Sequence, residues 1–502
     1  MGFNAPAINT LPGYMSGRRN IYASFDDITP ENVIYEVNRA LAIHTKNLME
    51  EEYLYWYRRG ITPILNRTKE RNSFVCNRIN VNFADEICTF KNGYLISHPC
   101  TYISRNDSNQ DKVDDLNEFL YRSGKHDADN VMKDWFHTVG RAALFVEPND
   151  DPKVPYLAHA VDPRSAFVVY SMKPGNKPVM GVNMVVVDDT LRLDVYTLRY
   201  VFRISGTVTG KLISPDPNYI ATAVYVDAVE PNVLGKIPIV EYEYNTMHMS
   251  SFEAALPLID AASDLISNRL DGIAQFIQSL VVLYNAELPE GEDANSMKEK
   301  GLLLLKSVGE NRQEIKILSD QLDQTQSQTL MNCLEALIFE ICAMPKMGEG
   351  TTYDTTGAAV LASQGFMQAD QSARCSEDLF RKSNRYFDEI VLEILKRKGI
   401  LDISIQDFEL NFAHNETQNI QSKAQAFQTL MAAGLHPELA AAKSGISNDP
   451  VSDIKMSEKY IQMVWGDPDK VDKVEEQTDG QGEAKITEED NFNGENETGG
   501  AI

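Results

Sequence analysis

The sequence predicts an α+β protein that is mainly α-helical, and three features support this prediction. One stretch, 356–398, contains no proline over roughly 43 residues, which would span about 64 Å as a single helix. Another stretch, 320–343, repeats apolar residues at helical spacing, namely Leu322, Leu330, Leu334, Leu337, Ile338 and Ile341. Between 142 and 245 the chain is rich in Val and Tyr and is broken by turn sequences, which is typical of strands.

A chain of 502 residues is long enough for about two to four structural units, because single hydrophobic cores stop growing at about 250 to 300 residues. No apolar run approaches the roughly 20 residues that a membrane-spanning helix requires. The N-terminus lacks the charged and then apolar pattern of a signal peptide. We therefore expect a protein of a cytoplasm-like compartment without membrane contact.

The first half of the chain is expected to begin with a loose arm, 1–25, and a helix that Thr29 caps with Pro30 in its first turn. A second helix is expected to end in a turn at Gly93. Further helices are expected near 112–122 and 127–139, and strands near 142–147, 155–160, 166–171, 180–188, 191–204, 222–228 and 237–243.

In the second half, Ser250 and Glu253 form a capping box that opens a helical region running to about Tyr284, interrupted or kinked at Pro257. The segment 286–319 reads as a compact excursion between two helices, and such excursions usually meet a partner. The other expected elements are strands at 302–305, 314–318 and 407–412 and helices at 320–343, 356–398, 416–433, 437–443 and 451–465.

The net charge of -26 argues against a surface that grips nucleic acid, because tight binding uses many Lys and Arg contacts to phosphate. It does not argue against a surface that lets DNA pass. Part of the charge is local, since 466–502 holds twelve acidic and three basic residues with few large apolar side chains. We expect this tail to be disordered, because it cannot bury enough surface to fold.

No motif for catalysis, cofactor binding or metal binding is complete. The six cysteines lie at least nine residues apart, so we expect buried free thiols rather than a CxxC metal site. The segment 206–212, GTVTGKL, resembles a phosphate-binding loop but is one residue short, so a hairpin turn is favoured. Asp188 and Asp189 lie in a predicted turn, where adjacent side chains point apart. An enzyme site assembled from distant residues stays open.

The segment YLYWYRRG, 53–60, admits two interpretations. Basic residues interleaved with aromatic ones can bind nucleic acid, and Arg67, Lys69 and Arg71 follow closely. The favoured interpretation is a helix end packed against a neighbouring element, with Arg58 and Arg59 near the negative pole of the helix.

Three motifs in this order resemble those of the portal proteins of tailed bacteriophages, particularly the siphophage type from Gram-positive hosts. The first is NRINVNFADEICTFKNGYLISHP, 77–99. The second is IPIVEYEYN followed by ALPLIDAASDLISNRLDG, with Leu258, Ile259, Asp260 and Ala261 at the family's Leu-Ile-Asp-Ala positions. The third is TTGAAV, which ends at Val360 and is similar to the Ser-Gly-x-Ala that opens the family's long helix. The resemblance spans 72–460.

The resemblance implies a portal fold with wing, stem, clip and crown, assembled as a ring of usually twelve subunits at one capsid vertex. It divides the chain into a flexible N-terminal arm (1–25), a wing (26–257), a stem helix (258–285), a clip (286–319), a second stem helix (320–344), a tunnel loop (345–356), a long wing helix (357–406), a crown (407–465) and a disordered acidic tail (466–502).

The function that the resemblance implies is a channel through which double-stranded viral DNA is packaged and ejected. The implied partners are other copies of the chain, double-stranded DNA, the terminase large subunit, a head-completion adaptor, and the major capsid and scaffolding proteins. The implied location is the virion, with the host cytoplasm during assembly. In the clip, charge and expected exposure make Glu287, Glu290, Glu292 and Asp293 the candidate partner-binding residues.

The tunnel loop is the candidate DNA-contacting site, with Lys346, Met347, Gly348, Glu349, Gly350, Thr351, Thr352 and Tyr353 as its residues. Met347, the two threonines and Tyr353 are expected to contact DNA sterically. The two glycines are expected to let the loop shift as DNA passes. Lys346 is the only cation of the loop. The alternative is a surface loop without a role.

Two other functions stay open from the sequence. One is a nucleotide- or metal-dependent enzyme acting on nucleic acid, and the missing P-loop and metal-ligand clusters count against it. The other is an acidic adaptor that binds only proteins, and the long proline-free helix with its clip-like excursion counts against that function.

Overall fold

The computed structural model describes residues 17–69, 75–95, 99–105, 109–188, 190–210, 220–277, 281–284, 302–305, 324–345, 366–412, 420–447, 453–454 and 457. The chain divides into two compact units, Met1–Thr417 and Gln418–Ile502, and each is described by itself.

Both α-helices and β-strands run through the described ranges. The helices are α1 (Val33–Arg58), α2 (Phe83–Tyr94), α3 (Gln110–Arg122), α4 (Lys125–Val139), α5 (Leu256–Ile277), α6 (Gln324–Ile341), α7 (Phe366–Arg397), α8 (Ile420–Ala432) and α9 (Pro437–Ser444). The strands are β1 (Ile21–Tyr22), β2 (Thr101–Ser104), β3 (Arg141–Pro148), β4 (Tyr156–Val161), β5 (Ala166–Tyr170), β6 (Pro178–Val187), β7 (Thr190–Thr197), β8 (Tyr200–Thr209), β9 (Ile220–Pro231), β10 (Ile239–Glu243), β11 (Val281–Tyr284), β12 (Leu302–Leu305) and β13 (Phe408–Asn411).

The largest sheet of the described residues has the strand order β1-β5-β6-β7-β8-β9, and β1 joins it parallel to β5. A three-stranded antiparallel sheet has the order β10-β3-β4. Strand β13 pairs with β2, and β11 pairs in parallel with β12. The fold is therefore α+β, as the sequence predicts.

Helix α1 covers one face of the six-stranded sheet. Alternate residues of β7, namely Leu191, Leu193 and Val195, are buried in the same core cluster as the apolar side chains of α1, as the period of two in a strand requires. At the free edge of the sheet, Asn38 of α1 binds both backbone groups of Ala223, with N–Oδ1 and Nδ2–O distances of 2.8 and 3.0 Å. This side chain takes the place of a neighbouring strand and blocks further pairing there.

Three consecutive glutamates of α1 each bind a different arginine. The pairs are Glu50 with Arg18 at 3.1 Å, Glu51 with Arg141 at 2.6 Å and Glu52 with Arg164 at 2.8 Å. Because successive residues of a helix point about 100° apart, these carboxylates hold three separate segments around one helix.

A second core lies between α7 and the three-stranded sheet. The rings of Tyr242 and Phe380 are 4.7 Å apart. A buried polar network crosses this core, because Asn384 Nδ2 lies 3.1 Å from Asp388 Oδ1 and the hydroxyls of Tyr102 and Tyr242 donate to Asp388 and Asn384. Residues of β2, β10 and α7 are therefore joined by hydrogen bonds as well as by packing.

Most of the predicted elements that fall within the described residues are confirmed. Helices α3 and α4 lie where the sequence places them, and Gly140 follows α4 with a φ of +89°. The strands predicted near 142–147, 155–160, 166–171, 180–188, 222–228, 237–243, 302–305 and 407–412 are all present. In the second unit, α8 and α9 match the predicted helices, and Lys423 Nζ donates to the Gly445 carbonyl at 2.8 Å.

Five expectations about the first unit up to β9 are wrong. Residues 17–25, expected to belong to a loose arm, contain strand β1 and the buried Arg18 and Ile21. Helix α1 begins at Val33, and Thr29 lies in the preceding turn, where its carbonyl accepts from the N–H of Val33 at 3.0 Å. Gly93 lies inside α2. The single strand predicted at 191–204 is the hairpin β7–β8, and residues 205–209, predicted as a turn, continue β8 and pair with β9. The two strand errors arise where tertiary pairing overrides the local sequence, and the two helix errors concern helix boundaries.

The helix predicted to reach Tyr284 is also corrected. Helix α5 ends at Ile277, and Val281–Tyr284 is strand β11, paired with Leu302–Leu305. Pro257 does not interrupt the helix, because it is the second residue of α5, where its missing N–H costs nothing. The predicted strand 314–318 lies outside the described residues.

The buried network at Asp388 generates a prediction about pH. Burial raises the pKa of Asp388 from 3.8 to about 7, although the Tyr102 hydroxyl and Lys125 oppose the shift. A raised carboxyl pKa contributes stability that is fully present below the unfolded value and is lost as the pH rises through about 7. We expect the thermal midpoint of unfolding to fall by about 2–5 °C between pH 5 and pH 8 through this group.

Asp388→Asn, which keeps an acceptor for Tyr102 and Asn384, should reduce this slope in scans at a series of pH values. Asp378→Asn, at an exposed position of the same helix, should keep the wild-type slope. Equal slopes in both variants would contradict the prediction.

Candidate functional site

Helices α5 and α6 pack against each other in antiparallel directions. Arg269, near the end of α5, binds Gln328, near the start of α6, at 2.8 Å. At the other end of the pair, Ile259 of α5 and Ile338 of α6 are fully buried in one core cluster with residues of α1 and α2. One end of the helix pair thus packs against α1 and α2.

The start of α5 is fixed by the predicted capping box. The Ser250 N–H donates to Glu253 Oε2 at 2.8 Å, and Arg18 Nη2 lies 2.6 Å from Glu253 Oε1. One turn into α5, the Tyr57 hydroxyl of α1 donates to Asp260 Oδ1 at 2.8 Å. These contacts confirm the Glu253 half of the capping box, whereas Ser250 Oγ accepts from the Phe252 N–H at 3.4 Å. They also give Asp260, in the quoted motif, a partner on α1.

Three polar residues of α5, Ser263, Ser267 and Asp271, form what we call the polar rail. They accept hydrogen bonds from three backbone N–H groups of the segment 77–81, which we call the docked segment. The Val81 N–H donates to Ser263 Oγ at 3.2 Å and the Ile79 N–H to Ser267 Oγ at 3.0 Å. The Asn77 N–H donates to Asp271 Oδ1 at 2.7 Å. The first and second motifs quoted for the resemblance therefore bind each other.

The polar rail and the docked segment match because their repeats have nearly the same length. Four residues of an α-helix rise about 6.0 Å, and two residues of an extended chain rise about 6.6 Å. Rail residues spaced by four on α5 consequently meet donors spaced by two on the docked segment. The pairing lets an extended backbone bind a helix without a strand partner and leaves these N–H groups satisfied.

Two basic residues close the far end of the polar rail. Arg67 Nη1 lies 2.9 Å and Lys69 Nζ 2.6 Å from Asp271 Oδ2, while the Asn77 N–H and amide bind Oδ1. Burial opposes the charge of Asp271, yet hydrogen bonds from Lys69, Asn77 and Arg67 lower the pKa of this carboxyl to about 2. Asp271 is thus an ionised, buried anchor.

Helix α6 has apolar side chains in two sectors. Ile338 and Phe339 are buried against the first unit. By contrast Leu330, Leu337 and Ile341, which we call the outer stripe, are 50%, 41% and 50% exposed. The predicted apolar face of this helix is therefore only partly covered by the described residues.

The end of α6 lies beside the start of α7 in the described chain. The N–H groups of Ala343 and Met344 donate to the carbonyls of Glu340 and Phe339 at 3.2 and 2.8 Å. This is the hydrogen-bond pattern of a Schellman motif, with Ala343 at a φ of +52° where glycine is usual. Gln368 of α7 donates to the Glu340 carbonyl at 3.3 Å. The end of α6, before residue 346, and the start of α7, at residue 366, therefore lie close together.

The candidate residues named from the sequence lie outside the described residues. This holds for the tunnel-loop residues 346–353 and for the clip residues Glu287, Glu290, Glu292 and Asp293. The structure brings together the chain on either side of the tunnel loop but describes none of the residues proposed to contact DNA.

The structure shows where several other segments singled out from the sequence lie. Residues 206–209 lie in β8, so the glycine-rich segment there begins as extended strand. Asp188 lies in a turn with a φ of +49°. Arg58 lies 2.6 Å from Asp134 and 3.1 Å from Asp85, which confirms the favoured interpretation of 53–60. Cys333 and Cys375 are exposed, so the expectation of buried thiols is wrong for these two.

Two searches of the described residues give negative results. No group of three His, Cys, Asp or Glu side chains among them could hold a metal ion. No helix in this part of the chain is long and apolar enough to cross a membrane.

The polar rail was missed in the sequence, although a signal for it exists. Ser263, Ser267 and Asp271 recur every four residues on α5, and Asp260 lies on the same face of the helix. Such a spacing marks one helical face. The partner lies about 190 residues earlier in the chain, and no local pattern links the two segments.

Comparisons with known proteins point to one family. The family model described as phage portal protein, SPP1 Gp6-like, matches residues 38–465. Among solved structures, the neck of an empty GTA particle computed with C6 symmetry is 13% identical, with 72% of this chain and 90% of that chain covered and a TM-score of 0.31. A score this low supports no conclusion about this chain. A search of curated protein sequences finds no significant match.

The polar rail can be tested by removing the charge of Asp271. In Asp271→Asn the amide no longer neutralises Arg67 and Lys69, and we expect the protection of the Asn77 amide against hydrogen exchange to fall about 10- to 100-fold. Asp264→Asn is the matched control, since Asp264 is 59% exposed and lies 3.7 Å from Arg67, so its loss should change exchange less than about fivefold. Similar exchange in the two variants would show that Asp271 does not anchor the docked segment.

Proposed function

The chain belongs to the phage portal protein family of the SPP1 Gp6 type, and we propose that α5 and α6 form the stem of its ring-shaped DNA channel. Members of this family are ring-forming structural components of the capsid, and the portal connects head and tail. The portal role follows from the family. The proposal concerns which parts of the chain carry out that role.

The observation that supports the proposed stem most strongly is the outer stripe. Three large apolar side chains on one side of α6 are about half exposed, while the adjoining side is packed against α1, α2 and α5. Exposed apolar patches on folded proteins usually mark protein interfaces. Because portal subunits form rings, the partner that fits the outer stripe is the neighbouring copy, bound by a different surface of that copy.

The charge of the paired helices suits a channel wall along which DNA slides. Helix α6 contains no Lys or Arg, and α5 contains only Arg269, which binds Gln328. A wall with few cations makes few phosphate contacts, so DNA is not held in place. The polar side of α6, where Thr329 and Glu340 are exposed, is the side that we propose to face the duplex.

The tunnel loop is proposed to narrow this channel. The described chain before and after residues 346–365 is held together by the Schellman motif at Ala343 and by Gln368. The loop sequence offers Met347, Tyr353 and threonines for steric contact, and one cation. Contact without strong charge would seal the space around DNA without binding it tightly.

The other parts of the chain are proposed to follow the family plan. We place the wing in 26–257 with the long helix α7, and the clip, which would dock the terminase large subunit and later the head-completion adaptor, in 286–319. The acidic residues 287–293 remain candidates for those contacts. Since β13 pairs with β2, we place the crown after residue 417 rather than at 407.

Assembly is proposed to give a ring of twelve subunits in the host cytoplasm. The wing would then meet the major capsid and scaffolding proteins when the ring is built into one vertex. In the virion, the same ring would serve as the passage for DNA ejection.

Leu337→Asp tests the subunit contact through the outer stripe. The side chain is 41% exposed, so the chain should still fold, whereas a buried unpaired carboxylate in the ring costs several kcal/mol. We expect wild-type protein to form rings with a central hole wide enough for duplex DNA in electron micrographs, and Leu337→Asp to shift the particles toward monomers by at least about tenfold.

Asn332→Asp adds the same charge on the polar side of α6 and should leave ring formation unchanged. Rings of Leu337→Asp at wild-type abundance would remove the outer stripe from the interface. Wild-type protein that stays monomeric under all conditions would overturn the proposed stem itself.

Replacing residues 346–353 by a short Asn-Gly turn tests the tunnel loop. Ring formation should persist, because the base at Ala343 and Gln368 is unchanged, but the length of DNA packaged or retained should fall. The control is the double variant Lys346→Gln, Glu349→Gln, which removes two charges and keeps the loop length. It should package normally if contact with DNA is steric, and a defect as large as that of the shortened loop would contradict the steric proposal.

A further inference from the structure

An open groove of about 490 Å³ lies between β5, β10 and the middle of α7. Tyr22, Tyr170 and Tyr386 line it as partly buried side chains, and Val168 and Ile239 behind them belong to the buried core. The groove thus offers aromatic faces and hydroxyl groups beside polar and charged side chains. This composition suits an extended peptide with apolar side chains, whose backbone can use the hydroxyls.

The charged residues of the groove already have partners. Glu241 accepts from Tyr170 at 3.1 Å and Arg141 at 3.2 Å, and Glu243 lies 3.3 Å from His248. Lys382 lies 3.9 Å from Glu243. Both glutamates and the lysine of the groove thus have partners, so an uncharged occupant would leave these pairs intact.

The N-terminus of the described chain is fixed at the rim of this groove. The Arg18 N–H donates to the His248 carbonyl at 3.2 Å. Gly17, with a φ of +80°, packs so closely that an added Cβ would lie 1.6 Å from the Met247 carbonyl oxygen. Met247 is 64% exposed, although its neighbours Thr246 and His248 line the groove. The preceding residues therefore enter from a point on the rim itself.

The sixteen residues before Gly17 have the composition that the groove requires. The sequence MGFNAPAINTLPGYMS contains no charged side chain and includes Phe3, Ile8, Leu11 and Tyr14. Its two prolines favour an extended backbone. Fully extended, such a segment reaches about 50 Å, which is more than the groove needs.

We propose that residues 1–16 fold back and bind in this groove of their own chain, against α7. Attachment at Gly17 gives the segment a high effective concentration at the groove, of the order of millimolar for a short linker. The contact would hold this segment against Ser383 and Tyr386 and cover the tyrosine side chains of the groove. This inference does not depend on the proposed stem or tunnel loop.

Photocrosslinking of the full-length protein tests the proposal, with p-benzoylphenylalanine in place of Ile8. After irradiation, peptide mass spectrometry should find crosslinks to 168–178, 239–246 or 382–386, and denaturing electrophoresis should show them within one chain. Ser383→Trp fills the groove and should lower the crosslink yield about tenfold. Ser383→Ala and Gln371→Trp, at an exposed position of the same helix, should leave it unchanged.

Each other outcome overturns the proposal. Crosslinks to the groove that join two chains would mean that the segment binds a neighbouring copy. Crosslinks elsewhere, no crosslinks, or equal yields in Ser383→Trp and wild type would mean that residues 1–16 do not occupy the groove. If Ser383→Trp does not fold by circular dichroism, Thr246→Trp on the exposed rim provides the same obstruction.

Discussion

The pairing of a helix with an extended segment through matched repeats is the constraint on which the position of α5 depends. Donors on alternate residues of the docked segment meet acceptors on every fourth residue of α5. Hydrogen bonds are directional, so a shift of the docked segment by one residue would turn its N–H groups away from the helix and leave them unpaired. Apolar packing alone would tolerate such a shift more easily. The buried, ionised Asp271 adds a charged end point that also fixes Arg67 and Lys69.

The consequences of that constraint extend along the chain, because α6 is held mainly through α5 and the core that they share. Once α5 is fixed, the direction of α6 is fixed, and so is the place where residues 346–365 begin and end. The division of apolar residues on α6 follows from this geometry. A helix packed on one side only cannot cover an apolar sector that spans more than half of its circumference. Its remaining sector, the outer stripe, stays about half exposed.

Local sequence patterns predicted most of the described elements but not the contacts that define the site. The alternation of Leu191, Leu193 and Val195 and the Ser250–Glu253 capping box are local signals, and both correspond to observed structure. Val281–Tyr284 follows a helical pattern without a break, and only its pairing with Leu302–Leu305 makes it a strand. The same holds for the polar rail, whose partner is distant in sequence. The motifs of the tunnel loop and the clip name candidate residues, but no local pattern fixes their positions.

The distribution of arginines links the fold to the portal role. Five arginines bind carboxylates within the chain. Arg18, Arg67, Arg141 and Arg164 each bind a buried or partly buried carboxylate, and Arg58 binds two aspartates. These ion pairs hold segments of the chain together, and a guanidinium that is paired with a carboxylate attracts phosphate only weakly. With a net charge of -26, the chain offers duplex DNA a surface of low affinity, which is what passage in both directions requires. If α5 and α6 line the channel as proposed, the pairing of Arg67 with Asp271 keeps one of the nearby cations from attracting phosphate.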